Sequence, residues 1–398
     1  MKKTVIVGAG ASGMIGAICA AKRGNQVEIL EKQIKPMSKI LVAGSGRCNL
    51  SNTNISASCY ASGDRKEVRE IISAFGCKET IDLFGELGLE TVEEEGRIFP
   101  RTFSSKSVYD VLWNSSQRYG VGIRVKSAVQ AISYKNSGFT IACKDGYSTR
   151  ADSVLISTGG LAHPSLGTSG DGYSLAALYG HTASPTYPAL CPVVVTDKIF
   201  HPLQGLKIKT RLLVGHESFE GDLLFTKYGF SGSVIFDASV FFAQKIHSGT
   251  EIRINFFPEF RKVGEFEHFL RHRFKEYGSF PIEKCFQGLL DDKLALVLLK
   301  LAGIPCQMPA AHLKEEAVKK LLDNLINLKV FLSGPKGYAE AQVTAGGIRL
   351  SEINPVTMES RFRPGLYFAG EILDCAGKCG GFNLQFAWTT GYIAGDNL

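Results

Sequence analysis

Cys48, Cys379 and Lys227 are the side chains best suited to carry a proton, and glycine turns stand beside all three. Cys48 lies in GSGRCNLSN (44–52), Cys379 closes DCAGKC (374–379) ahead of Gly380 and Gly381, and Lys227 sits in LFTKYGFSG (224–232). A thiol or an ammonium can give a proton to the carbon next to one that has received hydride, and an ammonium also draws in anions. His163 and Tyr228 have the same capacity, although a histidine before Pro164 is more commonly a turn residue. DCAGKC has no second ligand cluster near it, so no metal is expected.

GSGRCNLSN by itself admits two readings, a redox thiol or a loop that wraps an anion. The nearest other cysteine, Cys59, is eleven residues away, which is not dithiol spacing. Gly44 and Gly46 allow close backbone approach, and Arg47 can neutralise a phosphate. The loop is therefore read first as a cofactor wrap, with Cys48 as a single thiol inside it. Cys379, four residues before Asn383, is read as a ring-edge proton donor or as a small packed residue before a Gly-Gly turn.

These loops need elements to hold them. KTVIV (3–7) is an apolar run suited to a buried parallel strand, and GAGASG (8–13) follows it at once, opening a helix that should run to about Arg23. Gly8 permits the turn, Gly10 lets the backbone approach a pyrophosphate, and Gly13 lets helix pack on strand; Ala11 and Ser12 contribute the first helical amides. QVEIL (26–30) is the next strand and ends at Glu31, where an acid bonds a ribose hydroxyl and disfavours a 2′-phosphate. The region after it supplies Lys32, Lys39, Gly46, Arg47 and Cys48.

Farther along, KSAVQAI (126–132) brings Ala128 and Val129 beside an adenine, and SVLISTGG (153–160) ends in Thr158, Gly159 and Gly160. GLYFAGEILD (365–374) is another short strand carrying Gly370 and Glu371, and GGFNLQFAW starts a final helix with Gly381, Asn383 and Leu384 at its head. In flavoproteins such a helix aims its amides at the ring edge where negative charge develops. That order favours bound FAD, with NAD(P)H as a transient reductant. No second strand, GxGxxG and helix unit follows, which disfavours both a permanent second dinucleotide domain and a disulfide-reductase plan.

The chain has 398 residues, 43 glycines and a net charge of +7. No segment supplies the ~18 apolar residues of a membrane span, so no membrane partner is expected. The start, MKKTVIV, has the look of a signal peptide, but the glycine fingerprint argues against that. Ten irregularly spaced cysteines without CxxC fit a reducing cytoplasm. Lys207, Lys209 and Arg211 alternate on one strand face and RHRFK (271–275) forms a second basic cluster. Solvated surface is the simpler account of both, and a nucleic-acid footprint the sharper one.

The motifs together resemble the bacterial flavoproteins called aminoacetone-oxidase-like or YhiN-like NAD(P)/FAD-dependent oxidoreductases. KILVAGSGRCNLSN (39–52), EEEGRIFP (93–100), TGGLAHPSLGTSGDGY (158–173), DLLFTKYGFSGS (222–233), QVTAGGI (342–348) and the run from Ser351 to Trp388 carry the likeness. The resemblance implies an α/β Rossmann-like FAD domain built from both chain ends (1–188 and 341–398), a β-barrel-like insert (189–257 and 331–340) and a helical subdomain (258–330). It implies an FAD-dependent oxidoreductase acting on a small-molecule substrate or on ribosomal RNA. Activities in the family include aminoacetone oxidation, a step of bile-acid dehydroxylation and reduction of a uridine in ribosomal RNA. Lys227, His163 and Lys378 replace a histidine, a tyrosine and a proline of the family pattern, so one member's substrate does not carry over.

Overall fold

The structure is a computed structural model describing residues 1–398. Its chain divides into two compact units, Met1–Leu190 with Gly337–Leu398, and Cys191–Lys336.

The first unit is built on a five-stranded sheet in which every pairing is parallel. Its spatial order is Leu366–Phe368, Ser153–Ile156, Lys3–Val7, Gln26–Leu30, Gly122–Arg124. The three strands at the Leu366 end are almost wholly buried, as parallel strands covered on both faces must be, which explains their unbroken apolar sequence. The order reverses at the first strand, and in open α/β sheets the crevice at such a reversal takes the ligand.

Helices Ala11–Lys22 and Phe382–Asn397 lie against each other, joining the two ends of the chain. Small residues make the contact: a Cβ on Gly391 would stand 2.5 Å from the Ser12 carbonyl oxygen. An antiparallel meander, Val129–Lys135, Gly138–Cys143 and Ser148–Ala151, completes the unit. Val129 opens the first of these strands, and Lys126–Ala128 before it lie outside it, Lys126 having a φ of 56°.

The second unit contains a seven-stranded antiparallel sheet with Lys207–Val214 and Glu217–Thr226 at its centre. Helices Val263–Glu276, Asp292–Ala302 and Glu315–Ile326 form where the sequence places a helical segment. They share one core with the sheet: Phe266, Leu270, Leu298 and Leu325 are buried in the same cluster as Leu212, Phe225 and Ile254. LFTKYGFSG is a tight hairpin, Thr226 pairing with Gly229, and Lys227 stands exposed at its turn. No helix of the chain is long and apolar enough to cross a membrane.

Candidate functional site

The glycine turn does what its spacing requires. Gly8 adopts a φ of 102°, and a Cβ there would stand 2.7 Å from the Ser157 carbonyl; one on Gly13 would stand 2.6 Å from the Ser157 hydroxyl. Both glycines are therefore dictated by protein packing. Gly10 is different, because a Cβ there would meet nothing nearer than 3.9 Å. Space is kept at Gly10, which is also the N-cap of helix Ala11–Lys22 and offers no side-chain cap. The amides at that helix start point to an anion. Ser12 turns its hydroxyl to the Ala369 carbonyl instead, at 3.2 Å.

Glu31 is 9 % exposed and lies beneath this turn, its two oxygens accepting from the amides of Ala9 and Gln33, each at 2.7 Å. Each oxygen keeps a lone pair for a ribose hydroxyl. The Ser127 amide bonds the Glu31 carbonyl at 2.9 Å, which brings Ala128 and Val129 to the end of the second strand. Lys32 bonds Ser169 and Asp171, drawing the GTSGDG loop to the same place.

Lys39 and Glu371, 332 residues apart, form an ion pair at 2.6 Å. The other Glu371 oxygen accepts from the Thr344 amide at 3.0 Å, and the Thr344 hydroxyl accepts from the amides of Leu161 and Ala162 at 2.8 and 3.0 Å. A Cβ on Gly160 would stand 3.1 Å from Glu371 Oε1. Thr344 is thus a site residue that motif reading missed, although it sits inside QVTAGGI. The Gly370 amide is held by Thr390 at 2.9 Å. The Asn49 amide oxygen and the Thr158 and Tyr173 hydroxyls are buried without a partner, so segments assigned to the cofactor retain unused hydrogen-bonding capacity.

Residues 48–60 strap onto the C-terminal helix. Trp388 Nε1 donates to the Leu50 carbonyl at 3.0 Å, Asn52 to Gly380 at 2.9 Å, and the Tyr60 hydroxyl to Phe382 at 3.1 Å. Gly381 caps the helix with a φ of 96° and no side-chain cap, so that helix start is also free to face negative charge. Asn383 spends its amide on the Gly377 backbone, at 2.8 and 2.7 Å, and so clamps the preceding turn. Leu384 is half-buried against the core.

Within the strap, Cys48 has no solvent exposure and a φ of 57°; burial pushes its thiol up to about 12. Arg47 pairs with Glu94 at 2.6 Å and its guanidinium lies over the rings of Phe99 and Phe103, so its charge is engaged by protein. Gly46 has a φ of 85° and open space around it. Cys379 is half-buried two residues before Gly381. His163 has a φ of 56° and caps a short helical turn, while Lys227 belongs to the second unit.

These features fit a dinucleotide: an open glycine at one uncapped helix start, an acid at the ribose position, and a second uncapped helix start at the far end of the chain. Residues 2–397 match the family model described as HI0933-like protein Rossmann domain. A 3-dehydro-bile acid delta(4,6)-reductase of Clostridium scindens is 38% identical over 405 residues, covering 99% of this chain and 98% of that protein. A ribosomal RNA dihydrouridine synthase of Escherichia coli is 29% identical, covering 99% of this chain and 97% of that one. Its counterpart in Haemophilus influenzae is 29% identical, over 98% and 96%. The chain belongs to the HI0933-like Rossmann family, the YhiN-like FAD-dependent oxidoreductases.

Proposed function

We propose that this protein uses NAD(P)H to reduce a carbon–carbon double bond conjugated to a carbonyl in an anionic small molecule. When bound, FAD supplies hydride exchange at N5. The chain's own residues bind and orient the dinucleotide and manage one proton. Gly10 and the first turn of helix Ala11–Lys22 receive the pyrophosphate and Glu31 the ribose, while Lys39, held by Glu371, ties residues 38–42 to the 370–371 turn. The head of helix Phe382–Asn397 stabilises negative charge on the ring. Cys379 Sγ gives the proton to the substrate carbon, its partial exposure allowing contact. Cys48, enclosed and protonated, fills space behind the wrap.

The observation that carries the choice of a small molecule is that Lys207, Arg211, Arg271 and Arg273, four cations of the two basic clusters, are engaged within the protein. Lys207 pairs with Asp222 at 2.7 Å, Arg211 with Glu220 at 2.7 Å, and Arg271 with Glu267 and Glu315 at 2.8 and 2.6 Å. Arg273 bonds the carbonyls of Cys285 and Gln287. Cations held by acids release few counterions to a polyanion, which makes a weak footprint for RNA. The bile-acid reductase relative, similar from end to end, supports the same choice.

Uridine reduction in ribosomal RNA is the second reading, favoured by the two 29% relatives. The test is anaerobic. The flavin is reduced with NADPH or NADH, and reoxidation by a steroid enone, by dioxygen and by ribosomal RNA is compared. Fast reoxidation by the enone is expected; an oxidised spectrum restored by RNA alone would overturn the proposal.

A further inference from the structure

A cavity of about 430 Å³ opens beside the strap in the first unit. Its volume lies within the usual range for small-ligand sites. Thr53, Ser56, Ser73, Ile72 and Cys77 line it, and Arg69 is the only charged residue among the lining. Arg69 is exposed on helix Arg65–Ala74 and has no carboxylate partner. A second cavity of about 500 Å³ provides the contrast: Lys22 and Arg23 line it, but they are already paired with Glu86 and Asp396. An unpaired guanidinium on a wall of small polar and apolar residues recognises one anionic group on a largely apolar body.

Position gives this cavity its meaning. Gly76 is part of the lining, and its carbonyl accepts from Gln385 Nε2 at 3.1 Å. Asn52, adjacent to the lining residue Thr53, holds the Gly380 carbonyl at 2.9 Å. Both walls are therefore fastened to residues 380–385, where the C-terminal helix begins.

We propose that this cavity binds the carboxylate arm of the substrate, with Arg69 as its partner, while the reducible end lies toward the head of the C-terminal helix. The inference rests on the small-molecule reading above. It predicts a specificity for acids over their neutral esters that comes from Arg69 rather than from the flavin.

The test uses the FAD-loaded enzyme and two kinds of probe. Cholate, which has no reducible double bond, reports binding by calorimetry. 3-Oxochol-4-enoate and its methyl ester report turnover. Cholate should bind and should protect the Cys77 thiol from iodoacetamide. Arg69→Gln should weaken cholate binding and raise the KM for the acid roughly tenfold, with kcat and the KM for the ester unchanged; Arg69→Lys should recover part of the loss. Equal handling of acid and ester by the parent enzyme, or an equal loss for both in R69Q, would overturn the assignment. If cholate binds through Arg69 and no enone is turned over, the cavity stands and the proposed reaction falls. If enones are reduced without any dependence on Arg69, the reverse holds.

Discussion

Ser51 and Gln385, 334 residues apart, meet at 2.5 Å in the buried core of the first unit, the serine hydroxyl donating to Gln385 Oε1. Thr80 donates to the same oxygen at 3.0 Å, and Gln385 Nε2 reaches the carbonyls of Phe75 and Gly76 and the Thr389 hydroxyl. One amide thus ties the strap, the start of helix Cys77–Glu86 and the C-terminal helix together. Replacement by leucine conserves volume but removes the acceptor of both the Ser51 and the Thr80 hydroxyl in the interior. Gln385→Leu should cost about 2–4 kcal/mol in urea unfolding of the apoprotein. A loss within error of zero would mean that the network relaxes onto water.

Gly10 and Gly13 separate cofactor from fold. The open space at Gly10 means that alanine is accommodated by the apoprotein but occupies the room for a phosphate. Gly10→Ala should therefore keep the apoprotein Tm within about 2 °C while FAD absorbance is lost on gel filtration. Gly13→Ala forces a methyl against Ser157 and the Gly8 backbone, a small-to-large change that costs roughly 1–3 kcal/mol before any cofactor is considered. Equal effects of the two variants on apoprotein stability would contradict the assignment of Gly10 to the ligand.

His181 gives the first unit a pH dependence of known sign. Its Nε2 lies 2.7 Å from the Ser360 hydroxyl and its Nδ1 3.1 Å from Glu352. Ser360 already accepts from the amides of Phe362 and Arg363, so its proton goes to Nε2 and the ring is neutral with Nδ1–H directed at Glu352. Burial pushes the His181 pKa below the ordinary value, outweighing the upward pull of Glu352. The unfolded chain then takes up its proton at a higher pH than the folded one. Stability contributed by neutral His181 is present above about pH 6.5 and is lost as pH falls through the folded value. Tm measured from pH 8 to pH 5 should fall more steeply for the parent than for His181→Gln. Parallel curves would remove His181 from the account.

The sequence disclosed the glycine turn, the acid after the second strand and the parallel sheet because each is a local consequence of residue type and spacing. GAGASG, QVEIL and SVLI need only their own periodicity to be placed. The long-range partners were hidden for a physical reason: Lys39 with Glu371, Ser51 with Gln385 and Thr344 with the 161–162 amides are joined only when the two ends of the chain fold together. The roles of polar residues were harder still. Asn383 and Arg47 have suitable chemistry for a flavin or a phosphate, yet local geometry commits one to the Gly377 backbone and the other to Glu94 and two phenyl rings. Lys207, Arg211 and Arg271 read as a basic surface in one dimension, and ion pairs with Asp222, Glu220 and Glu315 engage these three cations in the fold.

Cys48 and Cys379 are separated by burial, and their alanine variants should diverge accordingly. Cys48 lies wholly inside, with its thiol kept protonated, and nothing dissolved can reach its sulfur without opening the strap. Cys48→Ala should keep bound FAD and an unchanged rate of reoxidation by enone, at a stability cost of about 1 kcal/mol for the lost packing. Cys379 stands half-buried at the mouth of the C-terminal helix. Removal of a general acid slows the step that delivers hydride and proton to the enone by a factor of about 10²–10⁴ but leaves the preceding hydride transfer from NADPH to the flavin untouched. Stopped-flow measurements on Cys379→Ala should therefore show flavin reduction by NADPH at the parent rate and reoxidation by enone slowed by that factor, with Cys379→Ser intermediate. The solvent isotope effect on reoxidation should change only in the Cys379 variants. If Cys48→Ala slows reoxidation while Cys379→Ala does not, the proton passes through the strap, and the burial of Cys48 describes a closed state that must open during turnover.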